Sequence, residues 1–240
     1  MDIHNSVALV TGANRGLGRA MTEALLDGGA RRVYAAVRDP ESLTGHQDRV
    51  IPIQLELTSP ADIAAAVDQA PDVTLLINNA GTARFADPFA ARRDDIAAEL
   101  ATNFTGTLDL IRAFVPVIER AGGGAVVNVL SLLALAATPP MAGYSASKAA
   151  LHSLTQAMRP GLRERGIAVH GVYPAGIDTD MVAAFDEMAK AAPRTVADGI
   201  LAGVAAGHPD IFPDPAATEM SALWWSDPKG FERAFAGAAQ

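Results

Sequence analysis

Val7-Ala-Leu-Val-Thr11-Gly12-Ala-Asn-Arg15-Gly16-Leu-Gly18-Arg19-Ala-Met21 is the stretch on which the fold turns. Its first five residues are a short apolar run bounded by glycine, the pattern of a buried strand in a parallel sheet. The residues after Gly18 place Met21, Ala24, Leu25 and Leu26 on one side of a helix. Between strand and helix, the glycines are spaced G-x-x-x-G-x-G. A turn of this kind brings backbone N–H groups and the positive end of a helix dipole to a point where a pyrophosphate can sit. Glycine is needed because a Cβ would block the approach. A tight strand-to-helix connection alone would explain one glycine; three, opening a helix after a first strand, point to dinucleotide binding.

Outward from this unit the pattern repeats. Arg32–Val37 reads as a second strand and ends at Arg38-Asp39. An acidic residue there binds a ribose 2′-hydroxyl, and an arginine binds a 2′-phosphate. Arg38 comes first and Arg15 lies in the glycine turn on the same side, so two guanidinium groups favour NADP over NAD; the alternative is an Arg38–Asp39 surface pair. Val50–Leu57 is a third strand with Glu56 and Leu57 at its end, and Thr58-Ser59-Pro60 starts a helix over 62–69. Val73–Asn78 is a fourth, running into Asn79-Ala80-Gly81. A helix over 94–120 follows, with Pro116 expected to kink or break it. Asn103 is a polar interruption of that helix's apolar face, either a buried hydrogen-bonding residue or part of a site. Ala125–Leu130 and Ile167–Val172 are further strands, the latter leading into Tyr173-Pro174-Ala175-Gly176-Ile177-Asp178-Thr179. Arg159-Pro160-Gly161 should bend or end the helix between them. Thr195 reads as the cap of a helix over 196–206, and 210–212 as a short last strand. Strands alternating with helices specify an α/β chain with a parallel sheet covered on both faces, in one domain over 1–240, with a cofactor half to about 125 and a catalytic and substrate half beyond.

One further stretch carries chemistry. Tyr144 and Lys148 are four residues apart in Gly-Tyr-Ser-Ala-Ser-Lys-Ala-Ala-Leu, hence on one helical face one turn apart. A phenol titrates near pH ~10, and an ammonium beside it favours the phenolate, easing proton exchange with a carbonyl or alcohol oxygen. Ser131, directly after the fifth strand, can hydrogen-bond the same oxygen. Gly12, Asn79, Ser131 and Pro174 all follow C-terminal strand ends, the edge at which open α/β sheets bind ligands.

Composition narrows the classes. With 240 residues the chain suits one domain. There is no cysteine, so disulfides, thiolate catalysis and Cys-ligated metal are excluded, and the five histidines are too scattered to be metal ligands. The net charge of −8, without a basic tract, argues against nucleic acid. No apolar run is long enough to span a membrane, and Met-Asp-Ile-His-Asn lacks a signal-peptide layout, so a soluble cytoplasmic protein is expected.

Thr-Gly-x-x-x-Gly-x-Gly at 11–18, Asn-Asn-Ala-Gly at 78–81, Asn103, Ser131 and Tyr144-x-x-x-Lys148 together resemble the short-chain dehydrogenase/reductase family, over roughly residues 5 to 182. The resemblance implies a doubly wound Rossmann-type domain with a seven-stranded, mainly parallel sheet, and hydride transfer between a nicotinamide and a carbonyl or alcohol carbon. It also implies the roles: Tyr144 as proton donor, Ser131 orienting the oxygen, Lys148 lowering the tyrosine pKa and holding the nicotinamide ribose, Asn103 positioning a water. By the same matching, Gly12, Arg15, Gly16, Leu17, Gly18, Arg38, Glu56, Leu57, Asn79, Ala80, Gly81, Tyr144, Lys148, Pro174, Ile177 and Thr179 should touch the cofactor, in the family's NADP-preferring pattern. No metal is implied.

Three features depart from the family pattern: Pro174-Ala175 where Pro-Gly is usual, Glu56 where aspartate is usual, and a C-terminus carrying Trp224-Trp225 instead of Val-Asp-Gly-Gly. The expected substrate is a small apolar ketone, aldehyde or secondary alcohol, with Phe85, Leu132, Leu133, Met141, Met181, Phe185 and Met188 lining the pocket or the core, and 179–190 forming a lid. A 3-ketoacyl-carrier-protein-type reductase and a non-catalytic NADP-sensing regulator are the alternatives. The resemblance further implies a homodimer or homotetramer built on the Asn103 and Tyr144 helices through Leu108, Ile111, Phe114, Leu151, Leu154 and Met158.

Overall fold

The computed structural model describes residues 1–44, 48–183, 185 and 189–237. Its strands are β1 (Val7–Thr11), β2 (Arg32–Val37), β3 (Val50–Gln54), β4 (Leu75–Asn78), β5 (Gly124–Val129), β6 (Ile167–Val172) and β7 (Asp210–Ile211). They form one seven-stranded sheet in the order β3-β2-β1-β4-β5-β6-β7, with every pair parallel. The chain winds one way from β1 to β3, crosses back, and winds the other way from β4 to β7. The reversal places a crevice beyond the C-terminal ends of β1 and β4, where a doubly wound sheet binds its ligand.

Side-chain alternation divides the core. Ala8 and Val10 of β1 and Leu75 and Ile77 of β4 join Met21 and Leu25 of α1 (Gly16–Asp27) and Val196 and Ile200 of α6 (Pro193–Ala206) on one face. Val7, Leu9 and Leu76 point the other way. They pack with Ile63 of α2 (Pro60–Gln69), Phe114 and Ile118 of α4 (Thr107–Arg120) and Leu162 of α5 (Ala142–Glu164). A buried strand needs apolar residues at every position to serve two such layers, and β1 is buried throughout. Three further helices, α3 (Arg93–Leu100), α7 (Pro215–Ser226) and α8 (Pro228–Gly237), complete the chain. Asp214 caps α7, its Oδ1 accepting from the Ala217 N–H at 2.9 Å, while its Oδ2 accepts from the Ala175 N–H at 3.1 Å. The C-terminal helices are thereby tied to the chain leaving β6.

Of the kink or break expected at Pro116 and the bend or end expected at Pro160, neither break occurs. Pro116 does not break its helix, and Pro160 lies inside α5, which runs on to Glu164. Both prolines are exposed, so the carbonyl each leaves without an N–H partner can turn to water. The interruption falls instead at Ala101–Gly106, a π-helical turn around Asn103. The helix expected to be capped by Thr195 starts three residues earlier, at Pro193, with Ala192 as its cap. Of the proposed oligomer faces, Ile111, Phe114 and Leu151 are buried in the core of the chain itself, and only Leu108, Leu154 and Met158 are partly exposed. Among the described residues, no helix is long and apolar enough to cross a membrane.

Candidate active site

The glycine turn is built as a backbone cradle. Gly12 and Gly16 have φ of 66° and 51°, conformations that side chains resist, and a Cβ on Gly18 would lie 2.1 Å from the Gly12 carbonyl oxygen. Helix α1 starts at Gly16 with no side chain capping it, leaving its first N–H groups for an anion. Thr11 organises the neighbouring turn: its Oγ1 accepts from the N–H groups of Asn79 and Ala80, each at 2.9 Å. The Asn79 amide donates back to the Thr11 carbonyl at 2.8 Å. Gly12, Gly16, Gly18, Asn79, Ala80 and Gly81 therefore gather at one sheet edge. Asn78, just before, bonds Asn128 on β5 at 2.8 Å and so ties two strands together.

Pro174, Ile177 and Thr179 reach the same edge from β6. The Thr179 methyl lies 3.0 Å from where a Gly16 Cβ would stand. Backbone bonds from Asp178 N to Ala191 O and from Ala191 N to Gly176 O pin the base of the segment expected to be a lid. Met188, within that segment, lies outside the described residues. Phe185 meets Phe85 of the loop after β4 edge-on, ring centroids 5.0 Å apart. Leu132 and Met141 are buried, Leu132 in a core cluster with Tyr173 and Phe231.

The arginines expected to read a phosphate lie at the surface. Arg38 is exposed and makes no ion pair among the described residues; Asp39 instead caps the next turn, accepting from the Glu41 N–H at 3.0 Å. Arg15 is exposed and pairs with Asp180 at 2.8 Å across the cleft. Glu56, expected to touch the cofactor, accepts from both the N–H and the hydroxyl of Thr58 through Oε1. Leu17 and Leu57 bury their side chains in the two core layers, which leaves only their backbones for a ligand.

Tyr144 and Lys148 occupy the first turns of α5, with the Lys148 Nζ 5.7 Å from the centre of the Tyr144 ring. Lys148 is 3 % exposed and donates to the Val129 carbonyl at 2.7 Å. Asn103, fully buried, accepts from the Thr82 N–H and donates to the Thr82 carbonyl, both at 2.8 Å, and to Ser147 Oγ at 2.9 Å. Ser147 in turn donates to the Tyr144 carbonyl at 2.7 Å. The Asn103 amide thus has both hydrogens committed; its side chain holds the loop to α5 and has no donor left for a water. The π-helical turn is what brings it there, re-aiming one residue of an otherwise regular helix.

The electrostatics reverse the expectation for the tyrosine. Burial pushes the Tyr144 phenol up to about 12; the Ser131 hydroxyl beside it pulls the other way and the Glu99 charge adds to the rise. Burial also pulls Lys148 down to about 8. Burial disfavours the charged form of each group, and it is the largest influence on both.

The sequence motifs do not single out Glu99, Thr82, Ser147 or Asp214. The pair Asp214-Pro215, an N-cap before a first-turn proline, is the one local signal among them. Glu99 is 1 % exposed, yet in sequence it looks like any acidic residue on a helix.

The profile of the short chain dehydrogenase family matches residues 6–190. The chain belongs to that family. A short chain dehydrogenase from Burkholderia cenocepacia, solved with NADP, is 39 % identical and superposes with a TM-score of 0.92 over 98 % of this chain and 99 % of that one. The 3-oxoacyl-acyl-carrier-protein reductase of Vibrio cholerae is 29 % identical over 78 % of this chain and 80 % of its own length. A 3-alpha-(or 20-beta)-hydroxysteroid dehydrogenase of Mycobacterium tuberculosis is 32 % identical over 73 % of this chain and 70 % of its own. The oxidoreductase class and Rossmann-type fold of this short-chain dehydrogenase follow from that membership.

Proposed function

We propose that this short-chain dehydrogenase is an NADP(H)-dependent carbonyl reductase or alcohol dehydrogenase acting on a small apolar substrate. The observation that carries the reading is the convergence of Ser131, a buried neutral Tyr144 and Lys148 beside an uncapped glycine cradle. Bound NADPH supplies the hydride. Gly12, Gly16 and Gly18 hold the pyrophosphate with their backbone, Arg15 and Arg38 the 2′-phosphate, and Lys148 the nicotinamide ribose. Ser131 Oγ donates a hydrogen bond to the carbonyl oxygen, and Tyr144 Oη gives that oxygen its proton as the carbon is reduced. Asn103 positions Thr82 and the tyrosine helix. The Phe85–Phe185 pair supports an apolar substrate, and the NADP of the Burkholderia relative supports the cofactor. A cytoplasmic setting and a homo-oligomer seated on Leu108, Leu154 and Met158 belong to the same reading.

The test is oxidation of NADPH and NADH against ketones, aldehydes, aryl ketones and a short β-ketoacyl thioester. Turnover that prefers NADPH and a plain ketone is expected. Preference for the thioester would move the enzyme to the 3-ketoacyl-carrier-protein class of its Vibrio relative, and tight NADPH binding with no turnover would leave a regulator. Arg38→Ala should weaken NADPH about 10-fold to 100-fold with little change for NADH, the loss of one or two charge-assisted hydrogen bonds. An equal loss for both nucleotides would mean that Arg38 reads no phosphate.

A further inference from the structure

One buried charge takes no part in the proton transfer. Glu99 is in the last turn of α3, four residues before Asn103, and is 1 % exposed. Its Oε1 accepts from the Arg84 N–H at 2.7 Å. Its Oε2 lies against Gly143, so closely that a Cβ there would stand 2.1 Å from it. Gly143 is buried and directly precedes Tyr144 in the first turn of α5. One carboxylate therefore touches the loop after β4, which carries Thr82, Arg84 and Phe85, and the turn that carries the tyrosine.

A purely structural helix contact would not call for a carboxylate. Burying a charged group is costly unless something compensates, and here the direct compensation is a single backbone N–H. Burial pushes the Glu99 carboxyl up; of the ionisable groups facing it, Arg84 on the loop works against that rise and Asp95 on its own helix adds to it. Arg84 and Asp95 lie 3.9 Å apart, so the aspartate offsets part of the arginine's influence. From α5 the ionisable neighbour is Tyr144, on which the Glu99 charge acts to oppose ionisation.

We propose that Glu99 is a positioning residue for the reaction: its carboxylate clasps the Arg84 loop to the first turn of α5 and sets a negative charge near the Tyr144 phenol. This rests on the reading of Tyr144 as the proton donor. It assigns the site a built-in bias towards carbonyl reduction, because a carboxylate near a phenol works against the phenolate that alcohol oxidation requires. It also accounts for Gly143, since any larger residue would drive the carboxylate out of its seat.

The experiment compares wild type, Glu99→Gln and Gly143→Ala in pH–rate profiles for both directions, with NADPH affinity measured separately. Glu99→Gln keeps the shape and an acceptor for Arg84 N but removes the charge. The expected result is unchanged NADPH affinity, with the limb controlled by the tyrosine moving to lower pH by about half a unit or more in both directions. At a fixed neutral pH, oxidation then gains relative to reduction. Gly143→Ala, which displaces the carboxylate without removing it, is expected to lower kcat several-fold at unchanged NADPH affinity, and serves if the glutamine variant does not fold. A limb that stays where it was in Glu99→Gln overturns the proposal, as does a Gly143→Ala enzyme with wild-type kcat.

A second readout separates this from the catalytic reading. The chain has three tyrosines, so ultraviolet titration of tyrosinate, with Tyr144→Phe subtracted, isolates the Tyr144 phenol without any turnover. A Tyr144 step that moves to lower pH in Glu99→Gln upholds the clasp even if no carbonyl is ever reduced. A step that does not move sinks it even if the enzyme is active.

Discussion

Tyr144→Phe should bind NADPH as well as the wild-type protein and lose turnover by about 10²- to 10⁴-fold, the contribution expected of a positioned general acid. The ring is 8 % exposed and would keep its packing without the hydroxyl, so no collapse of the site accompanies the loss. The wild-type pH dependence follows from the phenol's shift to about 12. Reduction needs the protonated form, so it should persist well into the alkaline range; oxidation needs the phenolate and should climb with pH instead. Nucleotide-binding titrations and steady-state rates on the two proteins check this directly. Residual reduction within a factor of a few of wild type would remove Tyr144 from the proton's path.

The second large effect is a trade of activity for stability at Lys148. Its pKa is drawn down to about 8 by burial alone, so at neutral pH the folded protein carries an ammonium that its surroundings disfavour. Because the folded pKa is below the unfolded one, the cost is fully present below pH 8 and is relieved as pH rises from 8 towards about 10.5. Lys148→Met removes that cost and also the bond to the Val129 carbonyl. With the fall from 10.5 to about 8 set against one hydrogen bond, the variant should gain on the order of 1–2 kcal/mol at pH 7. The Tm rises by a few degrees as a result. Turnover should fall by about 10²-fold or more, because the group next to the tyrosine is gone. Melting curves at several pH values are the check, and the gap between the two proteins should narrow above pH 8. A lower Tm at pH 7 would mean that the Val129 bond outweighs the buried charge.

Much of this site is legible in the order of residues alone, and the reasons are local. The glycine spacing at 12–18 is a backbone constraint, since a Cβ at Gly18 collides with a carbonyl a turn away, and such constraints are written in residue type. Tyr144 and Lys148 are paired by helical spacing. The parallel sheet follows from alternation of apolar runs with amphipathic helices, because β1 must face two layers and so has no place for a polar side chain at its centre.

Other features depend on which surface a residue finally meets. Pro116 and Pro160 look like breaks, yet both fall on exposed helix faces, whereas the true irregularity is the π-helical turn that seats Asn103. The charge state of Tyr144 follows burial more than its neighbour four residues on. Glu99 carries no mark at all. Periodicity and missing Cβ atoms act within a few residues, and so the sheet, the cradle and the pairing of Tyr144 with Lys148 on one helical face can be read from the chain unfolded. The protonation of those side chains, the commitment of the Asn103 amide and the clasp at Gly143 arise only when distant segments meet. They depend on desolvation and on hydrogen bonds between residues as far apart as Asn103 and Ser147, for which no local pattern exists.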